Sequence, residues 1–216
     1  MKYIKPLSEY QKLNNDDYNI LPIKNDDIQF LLDLKYCYFK DCYKDKKSHD
    51  NYLLANSDIS ISKKLVKNDE IIGAYFLNKH NVVDMFIDDF GKNNTYDDEW
   101  IDNNIIYNPK PLYELNGVEG VSLFIDEKYK NLGLGKMLID SVMMDNDVDY
   151  MFGLAYKSLG NIKDWMKRSY LLVDYGSYYM IVETKGIKLD MTTFGEFYKN
   201  KYKNLNFNPT KGFINK

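Results

Sequence analysis

The residues best placed to do chemistry lie in Val121-Ser-Leu-Phe-Ile-Asp-Glu-Lys-Tyr-Lys130-Asn-Leu-Gly133-Leu-Gly135-Lys-Met-Leu-Ile-Asp140. An apolar strand pattern there runs through a short basic loop into two glycines that open an amphipathic helix pattern. Consecutive backbone N–H groups at a helix start have no intrahelical partner and sit at the positive end of the helix dipole, so this order of elements favours a phosphate or pyrophosphate. The glycines let the backbone come close to the phosphate oxygens. Two phosphate motifs are excluded: Gly133-Leu-Gly135-Lys-Met137 lacks the upstream glycine and the Ser/Thr of a Walker loop, and Leu138 occupies the third glycine of a Rossmann fingerprint.

The elements that must position this loop are legible in outline. Tyr18–Ile23 reads as a strand, and Asn25–Asp27 offers capping side chains to a helix whose Ile28, Leu31, Leu32 and Leu34 recur at helical spacing. A polar turn is expected near Lys44–Lys47, then a helical piece around Asp50–Asn56. Lys64–Lys67 and Glu70–Leu77 flank Asn68-Asp69 and read as a β-hairpin. Residues 79–117 show no clear period, and Asp84, Asp88, Asp89, Asp97, Asp98, Glu99 and Asp102 make them a long acidic insertion. Regular structure resumes with a strand at Gly117–Ile125 and a helix at Gly133–Met144 whose buried face is marked by Leu134, Met137, Leu138 and Val142. A strand at Tyr150–Tyr156, a short helix at Asn161–Arg168 and strands at Tyr170–Val173 and Ser177–Glu183 follow. Residues 185–216 form a lysine-rich C-terminal extension, read as solvated.

Bulk properties narrow the function classes. A chain of 216 residues without a Pro/Gly/Ser-rich linker reads as a single domain. The net charge of -3 argues against wholesale nucleic-acid binding, which needs a basic surface. No apolar run approaches the roughly 20 residues of a membrane span, and the first residues lack the apolar core of a secretion signal, so a cytoplasmic protein is expected. Cys37 and Cys42 lack a CxxC spacing and the only histidines are His49 and His80, so no metal site or disulfide framework is expected. Among 29 basic residues only Arg168 is arginine, which fits an AT-rich coding genome and warns that lysine can stand where relatives use arginine.

With a hairpin before the loop and a strand after it, the pattern resembles the GCN5-related N-acetyltransferase (GNAT) fold. That family carries Gln/Arg-x-x-Gly-x-Gly/Ala at the same junction, and Lys130-Asn-Leu-Gly133-Leu-Gly135 matches it with lysine in the first place. The resemblance covers residues 18–184 in the order of elements and 117–140 in specific residues. It implies an α/β domain over 1–184 with a mixed, mainly antiparallel central sheet splayed into a V and helices on both faces. It also implies acetyl-CoA as co-substrate, its pyrophosphate held by the amides of Lys130, Asn131, Leu132, Gly133, Leu134, Gly135 and Lys136, without a metal. Leu123, Phe124 and Ile125 would pair with the pantetheine arm and offer an N–H to the thioester oxygen, where a preorganised donor is worth several kcal/mol (about 3) at the developing oxyanion. Their ordinary role would be core packing.

Glu119 stands eleven residues before Lys130, the spacing at which histone-type members of the family place a general-base glutamate. A carboxylate there can take the amine proton directly or through water; an ordinary surface glutamate is the competing reading. The family's Asn-x-x-Ala-x-x-Leu-Tyr helix has no clean counterpart. Aligning Ser158 or Asn161 with its asparagine, which makes both candidate cofactor contacts, puts Trp165 or Arg168 at the tyrosine. The acid for the leaving thiolate is then Tyr170, Tyr156, water, or absent; Tyr170 is the side chain assigned. The acceptor expected is a small-molecule or protein amine, and the acidic insertion would suit a cationic one. A homodimer is one candidate assembly. Two rival readings stay open: a non-catalytic acyl-CoA-binding interaction module, and a nucleic-acid or tRNA-modifying acetyltransferase gripping its substrate through the lysine-rich tail.

Overall fold

The computed structural model of the chain describes residues 17–39, 45–87, 104–107, 109–157, 168–189, 207–208 and 212–213. Its strands are β1 (Tyr18–Pro22), β2 (Lys63–Lys67), β3 (Glu70–Lys79), β4 (Gly117–Ile125), β5 (Tyr150–Tyr156), β6 (Tyr170–Asp174) and β7 (Tyr178–Thr184), with a two-residue ladder of β8 (Phe207–Asn208) and β9 (Gly212–Phe213) in the tail. The helices are α1 (Ile28–Phe39), α2 (Lys46–Ala55), α3 (Val82–Ile87) and α4 (Leu134–Met143). Seven strands form one sheet in the order β1-β2-β3-β4-β5-β7-β6. The β1–β2, β2–β3, β5–β7 and β6–β7 pairs are antiparallel, which gives the mainly antiparallel α/β architecture expected.

Local chemistry explains the boundaries. The Asp27 carboxylate accepts the Lys24 N–H at 2.7 Å and closes a 3-10 turn that feeds α1. Asp45 caps α2 by accepting the Ser48 N–H at 2.8 Å, so Lys46 and Lys47 lie in the helix and not in the polar turn expected there. The β2–β3 turn places Asn68 at φ 47° and Asp69 at φ 65°, the left-handed pair a tight hairpin needs and that Asn and Asp tolerate.

The described residues fall into two compact units. One takes those up to Asn78 together with Gly120–Asp145; the other takes Lys79–Glu119 together with those from Asn146 on. The first unit is built on Leu31, Leu32, Leu53, Ala74, Phe76 and Phe124. The second is built on Val82, Val83, Ile105, Leu112, Tyr150, Phe152 and strand residues of β6 and β7. Part of the stretch 79–117 is therefore core: β3 runs on to Lys79, and α3 buries Val82 and Val83 while Asp84 stays exposed. Asp88, Asp89, Asp97, Asp98, Glu99 and Asp102 lie outside the described residues. So do residues 161–167 of the helix expected at Asn161–Arg168.

Candidate active site

The loop between β4 and α4 is set by backbone conformation. Asp126 anchors it, its N–H donating to the Ile72 carbonyl at 2.7 Å, and its carboxylate accepts the Lys128 N–H at 3.0 Å to start a 3-10 turn over Glu127–Tyr129. Asn131 then sits at φ 64° and Gly133 at φ 76°, two left-handed residues that turn the chain into the helix. Gly133 is the N-cap of α4 and carries no side-chain cap. The first helical bond runs from the Met137 N–H to the Gly133 carbonyl at 3.1 Å, so the Leu134, Gly135 and Lys136 amides have no acceptor within the helix. The Lys130 N–H is engaged already, donating to the Glu127 carbonyl at 3.2 Å. Hydrogen-bond donors for an anion therefore come from the amides after Lys130.

The two loop lysines are both near acids. Lys130 Nζ lies 3.3 Å from Glu127 at an exposed position, and Lys136 Nζ lies 2.6 Å from Asp140 one turn along α4. Such partly exposed pairs contribute little to stability. Leu132 is exposed, and Leu134 is buried with Leu138, Ile139 and Val142 on the helix face that packs inward.

β4 carries the other predicted cofactor contacts. Phe124 is buried and stacks on Phe76 with ring centroids 6.3 Å apart, while Leu123 and Ile125 are half-buried. A Cβ on Gly135 would meet Leu123 Cδ2 at 3.5 Å and Ile125 Cγ1 at 4.0 Å, so the first turn of α4 lies in van der Waals range of this strand. The structure thus brings together the loop and residues 123–125.

At the start of β4 the arrangement is made of side chains. Glu119, half-buried, stands with Oε2 3.2 Å from Nδ1 of His80, which follows β3. The His80 ring lies 6.2 Å from the ring of Phe152 on β5. Behind it, Tyr150 is fully buried and its hydroxyl accepts the Val82 N–H at 3.0 Å; burial pushes this phenol up to about 12. Gly117 is required here, because the Tyr150 hydroxyl stands where its Cβ would be and the His80 carbonyl oxygen lies 2.7 Å from that point.

Tyr170 begins β6 opposite Val182, half-buried, with its ring edge-on to Tyr107 at 5.1 Å and packed against the second unit's core. Tyr156 is exposed at the end of β5, beside Tyr178. Ser158 and Asn161 lie outside the described residues. His80 is the member of this constellation that the sequence did not single out, because its partner is 39 positions away. Among the described residues no three His, Cys, Asp or Glu side chains converge as a cation site, and no helix is long and apolar enough to cross a membrane.

No protein-family model and no curated protein sequence matches the chain. Solved structures do. The protein PH1933 from Pyrococcus horikoshii is similar over 79% of this chain and 100% of its own, at 12% identity and a TM-score of 0.51. Ard1 from Thermoplasma volcanium is similar over 78% of this chain and 97% of its own, at 9% identity and a TM-score of 0.50. A GNAT-family acetyltransferase from Staphylococcus aureus covers 77% and 98% at 14% identity, with a TM-score of 0.48. At such identities the likeness is one of fold alone: the chain shares the fold of PH1933 and of Ard1.

Proposed function

We propose that the protein transfers an acetyl group from acetyl-CoA to a primary amine by direct attack. The observation that carries this reading is the β4–α4 loop: two left-handed residues, Asn131 and Gly133, deliver the uncapped amides of Leu134, Gly135 and Lys136 to one helix start. A pyrophosphate is the ligand such amides suit best, with Lys130 and Lys136 adding charge. The likeness to Ard1 from Thermoplasma volcanium is one of fold and does not define the acceptor.

In this reading Leu123, Phe124 and Ile125 present backbone to the pantetheine arm, and an N–H of this stretch faces the thioester oxygen. The amine lone pair attacks the carbonyl carbon, the C–S bond breaks, and the thiolate leaves. Glu119 supplies the carboxylate for removing the amine proton, directly or through water, and Tyr170 is the side chain assigned to protonate the thiolate. A second reading, a non-catalytic acyl-CoA-binding module, is favoured by one observation: the Tyr170 ring is packed against Tyr107 and the core.

Asn131→Asp tests the loop. Aspartate tolerates the left-handed conformation, so the fold is kept while a negative charge enters the amide cluster. Acetyl-CoA binding, followed by calorimetry, is expected to weaken at least tenfold, roughly 1.4 kcal/mol or more. Unchanged affinity would remove the loop as the pyrophosphate site.

A further inference from the structure

We propose that His80, oriented by Glu119, is the group that takes the amine proton. The inference rests on the acetyl-transfer reading and changes who acts within it. A carboxylate at neutral pH only accepts hydrogen bonds, so the proton in the 3.2 Å contact between Glu119 Oε2 and His80 Nδ1 belongs to the imidazole. With Nδ1 protonated, the ring's basic lone pair is on Nε2. That is the arrangement of a base held in one tautomer by a third group.

Exposure sets the order within the pair. The His80 side chain is 35% exposed and that of Glu119 is 23%, so the imidazole is the outer member. Chemistry points the same way. As classes of group, an imidazole titrates nearer the working pH than a carboxylate and is the better-matched base toward an amine. The other titratable groups on the surrounding elements are Lys79, exposed and next in sequence; Asp84, exposed on α3; and Asp149 and Tyr150 at the start of β5, the last with its proton held tightly by burial.

The step balances. As the amine nitrogen bonds to the acetyl carbon and the C–S bond breaks, the nitrogen's proton passes to His80 Nε2 and the thiolate takes a proton from its own acid. The imidazolium, stabilised by Glu119, then releases its proton to water.

Initial rates of thiol release from acetyl-CoA with an amine, measured across pH for the full chain and for His80→Asn, His80→Gln and Glu119→Gln, decide between the two bases. Thermal unfolding identifies any variant that fails to fold. Both His80 variants are expected to lose on the order of 100-fold or more in kcat/KM. Glu119→Gln is expected to lose less and to move the acidic limb to lower pH, because the imidazolium formed in the reaction would lose the carboxylate beside it. Near-normal rates in both folded His80 variants, with Glu119→Gln inactive, would overturn the proposal and leave acetyl transfer standing. Absence of turnover in the unaltered protein would instead overturn acetyl transfer itself. In that case an NMR titration, with His80→Asn assigning one of only two histidines, still reads the pair: a His80 pKa unmoved by Glu119→Gln would show that the carboxylate does not orient the ring.

Discussion

Both histidines of this chain hold Nδ1 within reach of a carboxylate, and their surroundings give the two pairs different chemistry. His49 is fully buried on α2, 2.8 Å from its sequence neighbour Asp50 and edge-on to the Tyr36 ring at 5.5 Å. Burial is the main cause that lowers its pKa, with the Asp50 hydrogen bond opposing, and nearby Lys35 lowers it further. His49 is therefore a neutral packing residue. His80 reaches an acid from a distant strand, and a third of its side chain meets solvent. A histidine beside a carboxylate is thus not in itself a site: solvent access separates the His80 pair from the buried His49 pair.

Five outcomes would break or sharpen that contrast. His49→Ala should cost about 3 kcal/mol of stability, since it empties a buried site and leaves Asp50 with Lys46 as its remaining ion-pair partner, yet leave kcat/KM of the folded fraction intact. Chemical denaturation checks the first part and steady-state rates the second; a stable but inactive variant would reverse the roles of the two histidines. Tyr150→Phe should cost about 2 kcal/mol, because the buried Val82 N–H loses its acceptor beneath His80.

The His49 pair also predicts a pH dependence. The folded state binds this proton less tightly than the unfolded chain, so the stabilisation is complete above the ordinary imidazole value of 6.5 and is lost as the pH falls through the lower folded value. The slope cannot exceed about 1.4 kcal/mol per pH unit for one proton. Urea midpoints between pH 7.5 and 5 should fall in the natural protein and fall less in His49→Gln. The smallest effects are at the loop. Gly133→Ala should cost about 1 kcal/mol, for the left-handed φ of 76°, although its Cβ would meet nothing within 4 Å. Gly135→Ala should be neutral or stabilise α4 by up to about 1 kcal/mol, since its Cβ finds only ordinary contact with Leu123 and Ile125. Thermal unfolding of the two variants should therefore move in opposite directions.

The loop and the His80 pair also differ in how visible they are before folding. The loop's requirements are local: Asn131 and Gly133 tolerate positive φ, and Leu134, Leu138 and Val142 recur at helical spacing within one stretch. The Asn68-Asp69 hairpin is legible for the same reason. Glu119 could be picked out only through its family spacing, and His80 not at all, because only the fold brings residues 80 and 119 together. α3 was hidden in an acidic stretch because six residues carry too little periodicity, though Val82 and Val83 enter the core. Lys46 and Lys47 read as a turn by composition, and the Asp45 cap turns them into helix. Ser158 and Asn161 fall outside the described residues, so their proposed cofactor contacts rest on the family pattern alone.

The most direct test of acetyl transfer is thiol release from acetyl-CoA, followed with and without a panel of primary amines that spans polyamines, amino acids and peptide N-termini. Acceptor-dependent release, with one acetylated amine formed for each thiol, is the predicted result. Acetyl-CoA binding with no acceptor-dependent release, and with rates unchanged in Glu119→Gln, would contradict it and leave a binding module.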